Sequence, residues 1–166
     1  MHEIFLGIGG NIGNKELNFK KAYNDIEADL GRITVKSSVY ETPPWGFNAK
    51  ENFWNQVLII ESELSPEELL SEIHKIERLF RREEAEGKYS SREMDIDILY
   101  YDNIFMETRD LIIPHPLIQQ RLFVLVPLNE IAPGFKHPLL RLTSSEMLEY
   151  CKDESIVKKV EQNWLS

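Results

Sequence analysis

The stretch SREMDIDILYY, residues 91–101, places two aspartates at alternate positions inside an otherwise apolar run. Alternate residues of a β-strand share a face, so Asp95 and Asp97 point one way and their apolar neighbours point the other. Their α-carbons are expected about 6.6 Å apart at about 3.3 Å per residue. At that spacing two carboxylates repel by roughly 2–3 kcal/mol for an effective dielectric constant of about 20. A divalent cation reverses that repulsion, because carboxylates together with substrate phosphates commonly hold Mg²⁺.

Cations flank this acidic pair. Arg92 precedes Asp95 by three residues, and Arg81, Arg82 and Lys88 occur just before it. Cations beside a metal-binding pair favour a site for a polyphosphate. Taken alone, the pattern leaves two other interpretations open: an Asp-x-Asp metal site of a sugar-nucleotide transferase, or the solvated face of a half-exposed strand.

Working outward, the apolar pattern predicts the order strand, helix, strand, strand, helix, strand. The strands are expected over residues 3–9, 32–42, 53–64 and 92–103, and the helices over 15–30 and 66–80. This order is that of a ferredoxin-like βαββαβ fold. We therefore predict an α+β protein with an antiparallel sheet covered by helices, in a single domain of residues 1–166. Two short helical patches near the C-terminus form an extension that covers the same core.

The predicted helices have recognisable starts. The glycines between residues 9 and 13 indicate a turn, and Asn14 is placed to cap the first helix. Ser65 and Glu68 have the spacing of a capping box, with a proline at the first helical position of the second helix.

Composition restricts the function. The chain has 166 residues, of which 42% are hydrophobic and 28% charged, and a formal net charge of −9. That charge argues against a nucleic-acid partner, including a ferredoxin-like RNA-binding module that is not an enzyme. The one cysteine excludes a disulfide framework. Neither a signal peptide nor an apolar run of membrane-spanning length occurs, so we predict a cytoplasmic protein, without a membrane partner, that acts as a monomer.

Several blocks together resemble a known family. KYSSREMDIDILYY is similar to the signature of the 6-hydroxymethyl-7,8-dihydropterin pyrophosphokinases, in which an arginine and two spacers precede aspartate-apolar-aspartate. The blocks GIGGNIGN, SSVYETPPWG, FWNQV, PHP and PLNEIAP match the family in the same order. The resemblance extends from about residue 3 to residue 138, and several blocks in order are much more specific than one motif.

The resemblance implies a ferredoxin-like fold and a folate-pathway enzyme. Its small-molecule substrates would be ATP and 6-hydroxymethyl-7,8-dihydropterin, and it would transfer pyrophosphate to the pterin's hydroxymethyl group and leave AMP. Two Mg²⁺ ions would be held by Asp95 and Asp97. The catalytic residues carried over from the family are Arg82, Arg92, Asp95 and Asp97. The implied ATP contacts are His74, Glu77, Arg82, Arg92, Ile98, His115 and Arg121. The implied pterin contacts are Thr42, Pro43, Trp45, Phe53, Asn55 and Phe123.

Some of these residues have a structural interpretation when taken singly. Trp45 could be a hydrophobic plug, Asn55 a polar residue at a strand edge, and His115 a turn cap between two prolines. The chain also departs from the family, with Tyr89 where tryptophan is common and residues 90–91 (Ser-Ser) where Gly-Pro is common. Residues 83–84 are both glutamate where the family often has a second arginine, so this loop is unusually acidic.

Overall fold

The computed structural model describes residues 1–43, 51–81 and 94–161. The strands within these ranges are β1 (His2–Gly10), β2 (Arg32–Lys36), β3 (Tyr40–Thr42), β4 (Phe53–Ser62), β5 (Asp95–Tyr101), β6 (Met106–Glu107), β7 (Ile112–Ile113) and β8 (Lys158–Lys159). The helices are α1 (Lys15–Asp29), α2 (Pro66–Arg81), α3 (Leu122–Ile131) and α4 (Ser144–Tyr150), and a 3₁₀ turn spans Ile118–Gln120.

The main sheet is antiparallel and runs in the order β5-β1-β4-β3-β8, with β2 also paired to β4. Because β2 and β3 follow each other along the chain and both pair with β4, they occupy the place of one strand. The first six elements then form a βαββαβ unit whose last strand lies beside its first. The predicted α+β class and ferredoxin-like order are confirmed.

The predicted helix caps are also confirmed. Asn14 accepts a hydrogen bond from the backbone N–H of Leu17 at 3.1 Å. At the start of α2, Ser65 Oγ accepts from the N–H of Glu68 at 3.2 Å, and Glu68 Oε1 accepts from the N–H of Ser65 at 2.9 Å. Each cap satisfies amide groups that have no partner within the helix.

Each face of the sheet carries its own apolar cluster. On one face, α1 and α2 contribute Phe19 and Ile73 to a cluster with alternate residues of the strands. On the other face, Phe5 packs with Leu125 of α3 and Met147 of α4. Each of these side chains is at most 2% exposed, and full burial of such a side chain contributes about 1.5–3 kcal/mol. The C-terminal helices α3 and α4 therefore cover the opposite face of the sheet rather than the same core, which corrects the prediction.

The faces of β5 follow the predicted alternation. Ile96 and Ile98 belong to the cluster on the α1–α2 face, whereas Asp95 and Asp97 lie on the other face. A shift of register opposite β1 then leaves Leu99 and the residue after it both in the second cluster. Such a bulge interrupts the regular alternation, so that two consecutive side chains can pack on the same face of the sheet.

Several strand boundaries differ from those predicted, most clearly at the end of β1 and in the run 32–42. β1 continues through Gly10, so Gly9 lies inside the strand and not in a turn. The run 32–42 is interrupted between β2 and β3, where Ser37 Oγ accepts from the backbone N–H of Val57 and the Ser37 carbonyl accepts from Gln56. These polar contacts take the chain out of the regular ladder. No helix in the described part of the chain is long and apolar enough to cross a membrane.

Candidate functional site

Three neighbouring strands form the floor of a cleft on the sheet face opposite α1 and α2. In the middle strand, Gly9 of β1 lies opposite Asn55 of β4 on one side and opposite Asp95 of β5 on the other. Two residues along the strands, Gly7 lies opposite Asp97. The register therefore places an amide side chain and two carboxylates on one surface, separated by glycines.

The glycines leave space above this floor, because they have no side chains. A β-carbon added at Gly9 would lie 2.3 Å from Asn55 Oδ1 and 3.0 Å from the carbonyl oxygen of Trp54. At Gly7 it would meet Leu99 Cδ2 at 3.5 Å, which is ordinary van der Waals contact. The Asn55 side chain thus lies across the place that a side chain at Gly9 would fill, which is why this position of β1 requires glycine.

The cleft above this floor has a volume of about 540 Å³. That volume suits a small molecule bound in a preformed site. Its walls come from the end of β3, from the segment entering α3 and from the extended chain after α4. Eight of the predicted site residues line it: Thr42, Pro43, Phe53, Asn55, Asp95, Asp97, Arg121 and Phe123.

The acidic pair lies at one end of the cleft. Asp95 is half-buried and Asp97 is exposed, and the charges of Asp97 and Arg121 both act on His115. Within residues 1–43, 51–81 and 94–161, no group of three or more metal-ligating side chains occurs. Two carboxylates on one face suit Mg²⁺, which prefers oxygen ligands and usually completes its octahedral shell with water and substrate phosphates.

His115 is held by its backbone and by its ring. Its N–H donates to the carbonyl oxygen of Leu99 at 3.0 Å, and its Nδ1 accepts from the N–H of Leu117 at 3.1 Å. In the neutral ring the proton therefore sits on Nε2, which can donate to an anion. Burial lowers the pKa of His115, the carboxylate of Asp97 acts in the opposite direction, and the positive charge of Arg121 lowers the pKa further.

Arg121 and Phe123 flank the first residue of α3. The Cζ atom of Arg121 lies 5.4 Å from the centroid of the Phe123 ring, within the range of a cation–π contact. The guanidinium lies over the aromatic ring, and both side chains line the cleft. A ligand with an aromatic ring and an anionic group would match this surface.

Another wall of the cleft is the end of β3, where Thr42 lies across from Phe53 of β4. A carboxylate of α3 secures the chain just before it. Glu130 accepts hydrogen bonds from the Ser38 N–H at 3.0 Å, the Ser38 hydroxyl at 2.8 Å and the Tyr40 hydroxyl at 2.7 Å. These three bonds tie β3 to the helix that carries the aromatic wall.

Three further predicted nucleotide contacts, like His115, are not among the residues that line the cleft. Glu77 is buried on α2, and its Oε2 accepts from the backbone N–H of Ile96 at 2.9 Å. His74 is exposed on the same helix, and the side chain of Ile98 belongs to the core. β5 is an edge strand, and alternation turns the backbone groups of Ile98 to the same outer edge as those of Ile96. A nucleotide could reach Ile98 only through that backbone edge.

Three other predicted site residues fall outside the described residues: Trp45, Arg82 and Arg92. The family departures at Tyr89 and at residues 83–84 and 90–91 also lie outside them. The roles assigned to these positions remain predictions from the sequence.

Sequence reasoning missed several residues that line the cleft. Gly7 and Gly9 alternate in β1 with the same period of two as the aspartates of β5, so they could have been recognised as a second half of one face. Asp153 and Ser155 also line the cleft. They carry no local signal, because what places them there is the course of the chain after α4.

Comparison with known proteins gives a consistent picture. The family model for 7,8-dihydro-6-hydroxymethylpterin-pyrophosphokinase matches residues 5–133. The 2-amino-4-hydroxy-6-hydroxymethyldihydropteridine pyrophosphokinase of Aquifex aeolicus is 40% identical over 141 residues, which covers 85% of this chain and 87% of that protein. The protein of the same name from Methylorubrum extorquens is 38% identical over 134 residues, covering 80% of this chain and 84% of that one.

The fold is similar to that of a solved structure. The crystal structure of Plasmodium falciparum HPPK-DHPS wild type with pteroate superposes with a TM-score of 0.74 at 18% sequence identity. The match covers 89% of this chain and 44% of that one, so this chain spans less than half of the larger protein. At that identity the likeness concerns the fold alone.

Proposed function

Because the chain belongs to the 7,8-dihydro-6-hydroxymethylpterin-pyrophosphokinase family, we propose that it transfers pyrophosphate from ATP to the hydroxymethyl group of 6-hydroxymethyl-7,8-dihydropterin, in folate biosynthesis. The observation that carries the proposal is the shared floor of the cleft, where Asn55, Gly9 and Asp95 lie in one row across three strands. One end of this floor can form hydrogen bonds with a heterocycle, and the other can bind phosphates. The family assignment sets aside the sugar-nucleotide transferase and the non-enzymatic RNA-binding module.

The pterin would occupy the end of the cleft near Asn55. A side-chain amide offers both a donor and an acceptor, which suits the hydrogen-bonding edge of a pterin. Phe53 and Phe123 supply aromatic surface for its ring, and Thr42 and Pro43 close the side. A flat ring bound here would point its hydroxymethyl group toward the carboxylates of β5.

The triphosphate would occupy the other end. Asp95 and Asp97 would hold two Mg²⁺ ions together with the phosphate oxygens, and Mg²⁺ when bound would neutralise phosphate charge. Arg121 and the Nε2–H of His115 would donate to phosphate oxygens, as would Arg82 and Arg92 by family resemblance. Charge neutralisation and positioning are the main contributions that a protein makes to phosphoryl chemistry.

In the reaction, the hydroxymethyl oxygen of the pterin attacks the β-phosphorus of ATP. The new bond joins the hydroxymethyl oxygen to the β-phosphorus. The bond from the β-phosphorus to the oxygen that bridges the α- and β-phosphates breaks, and AMP leaves with this bridging oxygen. The hydroxyl proton passes to water. We propose, as the sequence predicts, that the monomer is active.

The Asp97→Ala variant tests this function. With ATP, Mg²⁺ and 6-hydroxymethyl-7,8-dihydropterin, the wild-type protein should form pterin diphosphate and AMP in equal amounts. We expect the variant to lose kcat on the order of 100-fold or more, because a group that supports transition-state charge is removed. Quantifying both products by chromatography measures the effect.

The matched control is Asp110→Ala, which removes an exposed carboxylate between β6 and β7 that does not line the cleft. It should retain wild-type turnover, and circular dichroism should show that both variants are folded. Wild-type protein that makes neither product would contradict the proposed function. Near-normal turnover by Asp97→Ala would contradict only the role given to this carboxylate.

A further inference from the structure

The chain after α4 forms a wall of the cleft. This segment, residues 151–161, is called the C-terminal strap below; it lies beyond residues 5–133 that the family model matches. It runs without helix from the end of α4 through β8, and Asp153 and Ser155 line the cleft. The family signature therefore says nothing about this wall.

One end of the strap is fastened to the start of α3. Asp153 Oδ2 accepts from the backbone N–H of Leu122 at 2.9 Å. Asp153 Oδ1 accepts from the Ser155 N–H at 2.9 Å and from the Ser155 hydroxyl at 2.5 Å. Leu122 is the first residue of α3, and Arg121 before it makes no side-chain cap. Asp153 thus caps the N-terminus of α3 from a distant part of the chain.

The position of this contact matters, because Leu122 separates Arg121 from Phe123. If the first turn of α3 shifts, the aromatic wall of the cleft shifts with it. Burial alone would raise the pKa of Asp153, but the hydrogen bonds from Ser155 and from Leu122 outweigh it, and the net pKa lies below the usual range. The carboxylate is therefore ionised at neutral pH, and charge-assisted bonds of this kind are stronger than neutral ones.

The other end of the strap is fastened to β3. β8 pairs antiparallel with β3, with Tyr40 opposite Lys159 and Glu41 opposite Lys158. The Val160 N–H also donates to the Val39 carbonyl oxygen at 2.9 Å. β3 ends at Thr42, which lines the cleft, as Phe123 does. The strap therefore connects two elements that both contribute walls of the cleft.

We infer that the C-terminal strap sets the width of the pterin slot and that Asp153 is a positioning residue, acting through Leu122 on Phe123. This inference rests on the proposed function. The ligand concerned is the flat heterocycle, because the strap joins the helix that carries the aromatic wall to β3. Nucleotide binding at the far end should depend on the strap much less.

The test compares dissociation constants for 6-hydroxymethyl-7,8-dihydropterin and for a non-hydrolysable ATP analogue with Mg²⁺. Asp153→Ala should raise the pterin constant by about tenfold or more, as expected for loss of hydrogen bonds to a charged group. The constant for the ATP analogue should change less than about threefold, since Arg121 is one of several phosphate contacts. Pterin fluorescence and isothermal calorimetry provide the two readouts.

Graded variants separate positioning from general stability. Asp153→Asn keeps one carbonyl oxygen and should lie between wild type and Asp153→Ala. Ser155→Ala removes one of the three bonds and should give a smaller shift in the same direction. Glu154→Ala removes the exposed carboxylate between them and should bind both ligands as the wild type does.

Each outcome bears on the inference. A pterin constant for Asp153→Ala within twofold of wild type, or equal weakening of both ligands, would overturn it. If Asp153→Ala does not fold, the order of Asp153→Asn and Ser155→Ala decides, and unchanged pterin binding by both would overturn it. Wild-type protein that binds no pterin would overturn the proposed function as well, whereas tight wild-type binding with unchanged variants would overturn this inference alone.

Discussion

At the scale of single residues, Gly9 has the sharpest consequence. The methyl group of Gly9→Ala would lie 2.3 Å from Asn55 Oδ1, so either the Asn55 side chain or β1 must move. Because Asn55 is the proposed reader of the pterin edge, we expect the variant to weaken pterin binding by about tenfold or more, or ~1.4 kcal/mol. Binding of an ATP analogue should be affected less. Fluorescence titration with each ligand measures the difference.

Gly7→Ala is the matched control in the same strand. Its methyl group would meet Leu99 at an ordinary contact distance of 3.5 Å, so the floor can accept it with little movement. Similar losses of pterin affinity in both alanine variants would show that any methyl group in the floor is harmful. In that case the specific clash with Asn55 would not be the cause.

The same residues show what the sequence could predict. The period of two in β5 was enough to place Asp95 and Asp97 on one face, because side-chain direction in a strand is a local property. The nearness of Asn55 to Gly9 depends on the register between β1 and β4, which no local pattern encodes. The family resemblance supplied Asn55 as a site residue, and the register gave the reason why glycine stands opposite it.

At the scale of elements, α2 supports the edge strand β5 through one buried carboxylate. Glu77 is 9% exposed and accepts from the Ile96 N–H, a group that faces away from the rest of the sheet. Glu77→Ala would leave this amide unsatisfied. We expect the free energy of unfolding to fall by about 1–3 kcal/mol, measured by urea denaturation. Glu77→Gln keeps an acceptor oxygen and should lose less.

Arg78→Ala is the control for this prediction, because Arg78 is exposed on the same helix. Its free energy of unfolding should stay within about 0.5 kcal/mol of wild type. If Glu77→Ala is as stable as Arg78→Ala, the bond to Ile96 does not stabilise the edge strand.

Elements were predictable where their signals are local. The capped starts of α1 and α2 were identified correctly, since each cap depends on residues three apart. The break between β2 and β3 was not, because the alternation of residues 32–42 continues through it. What ends the ladder is a set of distant partners, with Ser37 bonded to β4 and Ser38 to Glu130 of α3. Likewise, the face of the sheet that α3 and α4 cover depends on the path of the chain, and no local sequence pattern predicts it.

At the scale of the whole molecule, titratable groups with shifted pKa values give stability two separate dependences on pH. For Glu130 and Asp153, burial alone raises the pKa, but accepted hydrogen bonds outweigh it and both lie below their ordinary values of 4.5 and 3.8. A carboxylate with a lowered pKa in the folded state stabilises the fold above its ordinary pKa. That contribution is lost only as the pH falls below about 4.5.

The histidines affect stability at higher pH than the carboxylates do, and this dependence can be tested. Burial lowers the pKa of both His115 and His137 from 6.5. Below that pH these histidines are therefore more fully protonated in the unfolded chain than in the folded one. The free energy of unfolding should therefore decrease as the pH falls from about 6.5 toward 5. His137 Nδ1 accepts from the N–H groups of Leu139 and Leu140 at 3.1 Å each, an acceptor role that an asparagine oxygen can take. In urea denaturation, the free energy of unfolding of His137→Asn should fall less steeply with decreasing pH, by up to about 1.4 kcal/mol per pH unit. A pH dependence parallel to that of the wild type would show that His137 does not contribute to it.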